Sequence, residues 1–365
     1  MIHCSNCFKP FPEEGVPYRC PSCFGVYDFN DIWHFEPGII EPDQPGIWRY
    51  RHTFGLPNST PPISLGEGNT PLVWSKIMGK RIGFKLEYLN PTGSFKDRGT
   101  TNLISFIKSR QVDLAVEDSS GNAGASFAAY AARAGIKASV YVPDSTSGPK
   151  RSQIHAYGAE LNRVSGPRSN TSLAVIQAAE KGVVYASHVY MPHGLPGFAT
   201  IAYELLDQMG GPPGSIVAPV GHGSLMLGVG RGFAALHRAR IITSSPMLLG
   251  VQAQACAPLW TRYSGGNSGN VTEGQTLAEG IRIQYPIRGD AVLNIVQESN
   301  GKFVVVEEEE ILPGLKELAR CGLFVEPTSA TVWPALMKVI ADLPEPVVVI
   351  LTGSGYKAEL DLNNH

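Results

Sequence analysis

The sequence predicts an α/β protein of two or three domains, built on parallel sheets covered on both faces by helices, with a small cysteine ribbon at its start. Three observations lead there. From Lys96 onward, short apolar runs alternate with helix-period segments, and runs that are continuous rather than alternating mark strands buried on both faces. The chain has 365 residues, 43% hydrophobic and 17% charged, which is ample for a large core and more than one core usually holds. Four of the six cysteines crowd together as Cys4, Cys7, Cys20 and Cys23.

The ribbon comes first, over residues 1–36. Its C-x2-C-x12-C-x2-C spacing favours a tetrahedral thiolate site over disulfides in a chain with no export signal, because each knuckle aims two sulfurs at one ion. Cys4, Cys7, Cys20 and Cys23 are thus expected to hold a structural Zn2+, the alternative being reduced, metal-free thiols. So short a segment has too little core to fold alone, and bound metal would supply its folding free energy. Lys9 and Arg19 are its basic residues, a poor endowment for nucleic-acid binding. Residues 37–62 are rich in Pro, Gly and polar side chains without periodicity and read as a connector wrapped on the surface.

The body follows. LAVED precedes a helix from Ala123 to Ala134, KASVYVP a helix from Pro149 to Tyr157, and GVVYAS a helix from Phe198 to Met209. The rhythm resumes with SIVAPV and a helix from Leu225 to His237, then LLGVQA, FVVVEE with a helix to Cys321, and PVVVIL. Cys256 and Cys321 lie among apolar neighbours and read as buried packing residues. No run approaches the roughly 18 to 20 apolar residues of a membrane span, and MIHCSNC has no apolar stretch after a basic start, so a cytoplasmic address is the default. The net charge of −2 lacks the basic excess that tracks a phosphate backbone, which argues against nucleic acid as the main partner.

In open parallel sheets, ligands collect at the carboxyl ends of strands. Four segments stand there: the turn Asn90–Ser94 before Lys96, SSGNAGAS after LAVED, VGHGSLMLG after SIVAPV, and LTGSGYK after PVVVI. Gly221, His222, Gly223 and Ser224 before a helix would offer backbone N–H groups to an anion that small residues let approach closely, a phosphate cup. It is neither a Walker loop nor G-x-G-x-x-G, and a tight turn without ligand has the same look. Lysines early in helices are common on surfaces. Lys96, however, sits beside Phe95 among Gly93, Ser94 and Gly99, and a lysine buried in such packing becomes a nucleophile toward a carbonyl. An imine-forming lysine with a phosphate cup suggests pyridoxal phosphate.

Taken together, GEGNTPL, NPTGSFKDRG, SSGNAGAS, PVGHGSL, LAEGIRI, EPTSA and LTGSGYK, in this order from about Gly66 to the end, resemble the fold-type-II pyridoxal-phosphate enzymes, and within them the threonine synthase group with an N-terminal ribbon. The resemblance implies two doubly wound parallel-sheet domains of the tryptophan synthase beta-like kind. Residues 63–96 and 201–365 would form the larger, phosphate-holding domain, and 97–200 a smaller one that closes over substrate. It implies that Lys96 carries the cofactor as an imine, with Phe95 and Leu225 against the cofactor. Asn122 would bond its 3-hydroxyl, Gly221, His222, Gly223 and Ser224 its phosphate, and Thr352 its pyridine nitrogen. Ser119, Ser120, Gly121, Asn122 and Ala123 would take the substrate carboxylate. A neutral hydroxyl at the ring nitrogen makes a milder electron sink than an aspartate, which suits elimination and replacement.

The implied reaction is that of a lyase, O-phosphohomoserine plus water giving threonine and phosphate, in a homodimer. The chain departs from the group at one place. Threonine synthases generally read N-P-x-R-x-x-G-x-K-T where this chain has MPHGLPGFAT, Met191 to Thr200, so that Gly194 and Ala199 stand at the basic positions. His188, His193, Lys150 or Arg151 are the candidates to compensate. A serine/threonine dehydratase or a β-replacement synthase on an activated serine is therefore the alternative, and an amino-acid sensor without turnover the reading from another class.

Overall fold

A computed structural model of the chain describes residues 1–31, 33–119, 121–144, 148–166 and 168–359. In chain order its strands are β1 (Ile2–Cys4), β2 (Tyr27–Phe29), β3 (Leu72–Ile77), β4 (Lys80–Lys85), β5 (Leu114–Glu117), β6 (Lys137–Pro143), β7 (Glu160–Val164), β8 (Val184–Tyr185), β9 (Ser215–Pro219), β10 (Met247–Ala253), β11 (Lys302–Val306) and β12 (Val347–Ile350). The helices that bear on the site are α1 (Lys96–Ser109), α2 (Asn122–Ala134), α3 (Pro149–Ala156), α4 (Arg168–Glu180), α5 (Leu195–Met209) and α6 (Ser224–Arg238). Two compact units result, one taking in Met1–Glu67 and Lys96–Gly197, the other Gly68–Phe95 and Phe198–Ala358.

The first unit holds the antiparallel pair β1–β2 and a four-stranded parallel sheet in the order β7-β6-β5-β8. Ribbon and connector fall inside it, because Phe11, Val16, Tyr18, Leu56 and Ile63 join the hydrophobic cluster of Leu103, Ile107, Phe127 and Val140. The connector is not the surface wrap its composition suggests. A 3-10 segment, Gly46–Thr53, buries Ile47, Trp48 and Tyr50, and Trp48 Nε1 donates to Thr101 Oγ1 of α1 at 2.9 Å. Three-residue turns follow neither the strand nor the α-helix period, so the pattern hides there.

The start of α5 packs backbone to backbone on α1. A Cβ at Gly197 would lie 1.8 Å from the Arg98 carbonyl oxygen. Gly197→Ala should therefore destabilise the chain by about 3 kcal/mol, since overpacking outweighs the roughly 1 kcal/mol alanine gains in a helix. Denaturant unfolding midpoints would measure it, and an unchanged midpoint would contradict this packing.

The second unit holds a six-stranded sheet, β11-β10-β9-β12-β4-β3, parallel except at its edge, where β3 runs antiparallel to β4. Met78 and Gly79, both with positive φ, form the two-residue turn that such a hairpin favours. Val347, Val348, Val349 and Ile350 of the central β12 are fully buried, each worth about 1.5–3 kcal/mol of burial. Cys256 is buried as expected, but Cys321 is exposed. It ends the helix Glu308–Arg320 at the surface, between buried Leu318 and Leu323. Among the described residues no helix is long and apolar enough to cross a membrane.

Candidate active site

In the second unit β12 pairs in parallel with both β4 and β9. The segments that follow these three strands, 86–95, 220–224 and 351–354, thus leave from one carboxyl edge of the sheet. Gly223 precedes α6 in the left-handed conformation, φ 83°, and a Cβ there would meet Val292 Cγ2 at 2.5 Å; both facts demand glycine. Gly221 and Leu225 are buried, His222 and Ser224 half-buried. The first-turn N–H groups of a helix have no acceptor within it, and with the helix dipole they attract an anion.

Thr352 lies on the same edge. Its carbonyl accepts the Phe95 N–H at 3.0 Å and its own N–H donates to Ser329 Oγ at 2.8 Å. Phe95 rests on Phe198, the ring centroids 5.4 Å apart. Thr352 Oγ1 is buried without a hydrogen-bond partner among the described residues, as is the nearby Ser94 Oγ. Buried hydroxyls left unpaired are costly, so this pair points to a polar group that the chain alone does not provide.

The turn before Phe95 is clamped by side chains that no motif announces. Asn90 Nδ2 donates to the Glu87 carbonyl at 2.8 Å, and Asn90 Oδ1 accepts the Gly68 N–H at 2.9 Å. Lys357 Nζ donates to the Thr92 carbonyl at 2.6 Å. Fully buried Lys85 pairs with Glu204 at 2.8 Å, and Glu204 takes the Asn69 N–H at 2.8 Å. The one available signal is Lys85, a charge directly after the apolar stretch of KRIGFK.

In the first unit Lys96, half-buried, opens α1, and Asn122 opens α2. Ser126 Oγ donates to Asp97 Oδ1 at 2.6 Å, which ties the first turn of α1 to α2. Asp97 and Arg98 are fully buried behind the lysine. Ser119, Gly121 and Ala123 follow β5 as expected, the Gly121 N–H donating to Ser119 Oγ at 3.3 Å; Ser120 lies outside the described residues. Below them Tyr185 donates to Asp118 Oδ1 at 2.7 Å and Ser172 to Asp118 Oδ2 at 2.8 Å. Burial, then the charges of Asp118 and Glu117, push the Tyr185 phenol well above its ordinary range, so it stays a neutral donor.

The candidate substitutes for the missing basic residues separate here. His193 is 3% exposed, stacked on Phe106 with centroids 3.6 Å apart and edge-on to Phe11 at 4.9 Å; it is a packing group. Lys150 and Arg151 lie in α3. His188 Nδ1 meets Glu117 Oε1 at 2.5 Å. Gly194 and Ala199 are closely packed: a Cβ at 194 would stand 3.2 Å from the Gly99 carbonyl, and Ala199 is fully buried.

The ribbon cysteines converge. All four Sγ atoms lie within 4.8 Å of one another, with Cys4–Cys23 at 3.4 Å and Cys7–Cys20 at 3.6 Å. A tetrahedron of 2.3 Å metal–sulfur bonds has edges of about 3.8 Å. The two knuckles share one geometry. Phe8 N–H returns to the Cys4 carbonyl at 3.0 Å and Phe24 N–H to the Cys20 carbonyl at 2.8 Å, and Phe8 and Phe24 both have positive φ. Burial pushes the Cys20 thiol up, but the amides of Ser22 and Cys23 and the neighbouring thiols bring it down to about 6; at Cys23 the Gly25 amide lowers the thiol, but the side chains of Cys4 and Cys7 outweigh it and push it up to about 12.

Comparison with known proteins agrees with this geometry. The sequence pattern of the family described as pyridoxal-phosphate dependent enzyme matches residues 63–353. The threonine synthase of Synechocystis sp. is 36% identical, the match covering 98% of this chain and 92% of that protein. That of Methanocaldococcus jannaschii is 32% identical, with 98% and 93% covered. Among solved structures, the T.th. threonine deaminase superposes with a TM-score of 0.65 at 28% identity over 80% of this chain and 93% of that one. Maize serine racemase, with a TM-score of 0.69 at 22% identity over 80% and 89%, shares the fold.

Proposed function

Since the chain belongs to the family of pyridoxal-phosphate-dependent enzymes, in its threonine synthase-like, fold-type-II branch, we propose that it is a lyase converting O-phosphohomoserine and water to threonine and phosphate. The observation that carries this reading is the match to threonine synthases over 98% of the chain. The test is steady-state assay of purified enzyme with O-phosphohomoserine. Threonine and inorganic phosphate should appear in equal amounts; release of ammonia and keto acid from serine or threonine instead would replace it with the dehydratase reading. That second reading is kept by one feature, the small residues Gly194 and Ala199 where threonine synthases generally carry basic side chains.

The residues fit the cofactor. Lys96 would hold its carbonyl carbon, the N–H groups and hydroxyl of Gly221, His222, Gly223 and Ser224 its phosphate, Asn122 its 3-hydroxyl, and Thr352 its ring nitrogen. The orphaned Thr352 Oγ1 is what a missing partner at that nitrogen predicts. Bound there, pyridoxal phosphate supplies an electron sink for a carbanion at the substrate Cα. Freed when the substrate amine takes its place on the cofactor, Lys96 Nζ would take the Cα proton as general base. Ser119, Ser120 and the backbone from Gly121 to Ala123 bind and orient the substrate carboxylate at the start of α2. Cys4, Cys7, Cys20 and Cys23 would hold a structural Zn2+, their separations suiting a tetrahedral ion. A homodimer, as the resemblance implies, is the expected assembly, checked by light scattering.

Thr352→Val keeps the shape and removes the hydroxyl. It should weaken pyridoxal phosphate binding to apoprotein by about tenfold, the worth of one neutral hydrogen bond, with no loss of folding. Fluorescence titration reads this, and an unchanged affinity would remove Thr352 from the site.

A further inference from the structure

We propose that Glu67 and Tyr130 are positioning residues for Lys96, fixing the first turn of α1 so that the amine can meet the cofactor carbonyl; this rests on the reading of Lys96 above. The starting observation is a polar stripe inside a core. Asp97, Thr101 and Ser105 stand at i, i+4 and i+8 of α1 and so share one helix face, and all three are fully buried. Thr101 Oγ1 accepts Trp48 Nε1 and donates to the Ile63 carbonyl at 2.7 Å, while Ser105 Oγ accepts the Ile63 N–H at 2.9 Å. These bonds hold the middle of the helix.

Its first turn is held by α2. Ser126 and Tyr130 stand one turn apart on that helix and point the same way; the first donates to Asp97 Oδ1 and the second to Glu67 Oε2, each at 2.6 Å. Burial raises the Tyr130 phenol well above its ordinary range, and the charges of Asp97 and Glu67 add to this while that of Arg98 opposes it. A neutral hydroxyl thus sits beside both carboxylates. Glu67 is itself fully buried, with Ser64 Oγ 3.0 and 3.1 Å from its two oxygens and the Leu65 N–H donating at 3.0 Å. Its main chain is fixed as well: the carbonyl accepts the Ile47 N–H at 2.9 Å, and a Cβ at Gly46 would stand 2.1 Å from that oxygen.

A buried carboxylate costs stability that an apolar side chain of similar size would not. What a satisfied polar network gives in return is one fixed arrangement. Here the arrangement fixed is that of the turn beginning at Lys96, and reaction rates depend steeply on such geometry, since a misplacement of about 1 Å can cost a hundredfold.

The test follows imine formation on full-length apoprotein, read as growth of the visible band after pyridoxal phosphate is added. In Tyr130→Phe the rate should fall by about tenfold or more. Affinity for pyridoxine 5'-phosphate, which has the ring and phosphate but no carbonyl, should match wild type. Glu67→Gln should slow the reaction likewise, and the double variant should be no slower than the slower single one, because both changes break the same bond. Wild-type rates in both single variants, losses that multiply in the double variant, or a parallel loss of pyridoxine phosphate affinity would each overturn the proposal. A wild type that forms no imine at Lys96 would sink the earlier reading along with this one, whereas unchanged variants of a protein labelled at Lys96 sink this one alone.

Discussion

Lys96→Ala is expected to lose turnover by at least about a thousandfold, within the range for removing a positioned general base, and to lose the visible band of bound cofactor. Borohydride reduction of wild type should place the label on the peptide containing Lys96, and the variant should carry none. Packing argues for this lysine. It opens α1 half-buried, with Asp97 and Arg98 fully buried directly behind it, so its backbone is fixed and its side chain retains access. Two other lysines are buried more deeply. Lys85 is ion-paired with Glu204, and Lys357 donates to the Thr92 carbonyl. Lys85→Met should thus leave the label on residue 96. A label on Lys85 or Lys357, or a variant at position 96 with wild-type turnover, would refute the site.

What was legible in the sequence, and what was not, follows from how each segment is buried. SIVAP and VVVI announce β9 and β12 because strands covered on both faces must be apolar at every position, and both are buried throughout. The edge strands β3 and β7 mix half-buried and exposed residues and show no continuous apolar run. Loops after strands were legible through small residues: Gly223, for example, combines a positive φ with contact to Val292. The clamp beneath them was not. Lys85 finds its partner Glu204 across 119 residues of chain, and nothing local in either residue's neighbourhood encodes that pairing. His188 is similar: its partner Glu117 stands 71 positions earlier and is brought to it only by the β5–β8 pairing. The connector was misread for a different reason, since Ile47, Trp48 and Tyr50 are buried from a 3-10 segment whose period matches no common template.

Cys20→Ser is expected to abolish stoichiometric zinc and to destabilise the chain by at least about 3 kcal/mol, the scale of losing a structural metal. On the proposed zinc site, the ribbon would not hold its order without the ion. Its own core is Cys4, Cys20 and Tyr27, with Ile2, Cys7, Phe11 and Cys23 partly buried around it; four of these seven are the proposed ligands, and the rest bury too little surface to offset the ordering of the segment. Nor would the damage stay local. Phe11 packs edge-on against Phe106 at 5.6 Å and against His193, and the Arg19 guanidinium lies 4.2 Å from the Tyr190 ring centroid while donating to its hydroxyl. A loosened ribbon would uncover α1 and the segment leading into α5 together. Chelation of wild type should therefore lower the thermal midpoint to that of Cys20→Ser, and zinc added back should restore only the wild type. Should purified protein contain no zinc, and the serine variant unfold at the wild-type temperature, the four thiols would be packing groups and the ribbon would owe its order to Phe11, Tyr18 and Arg19 alone.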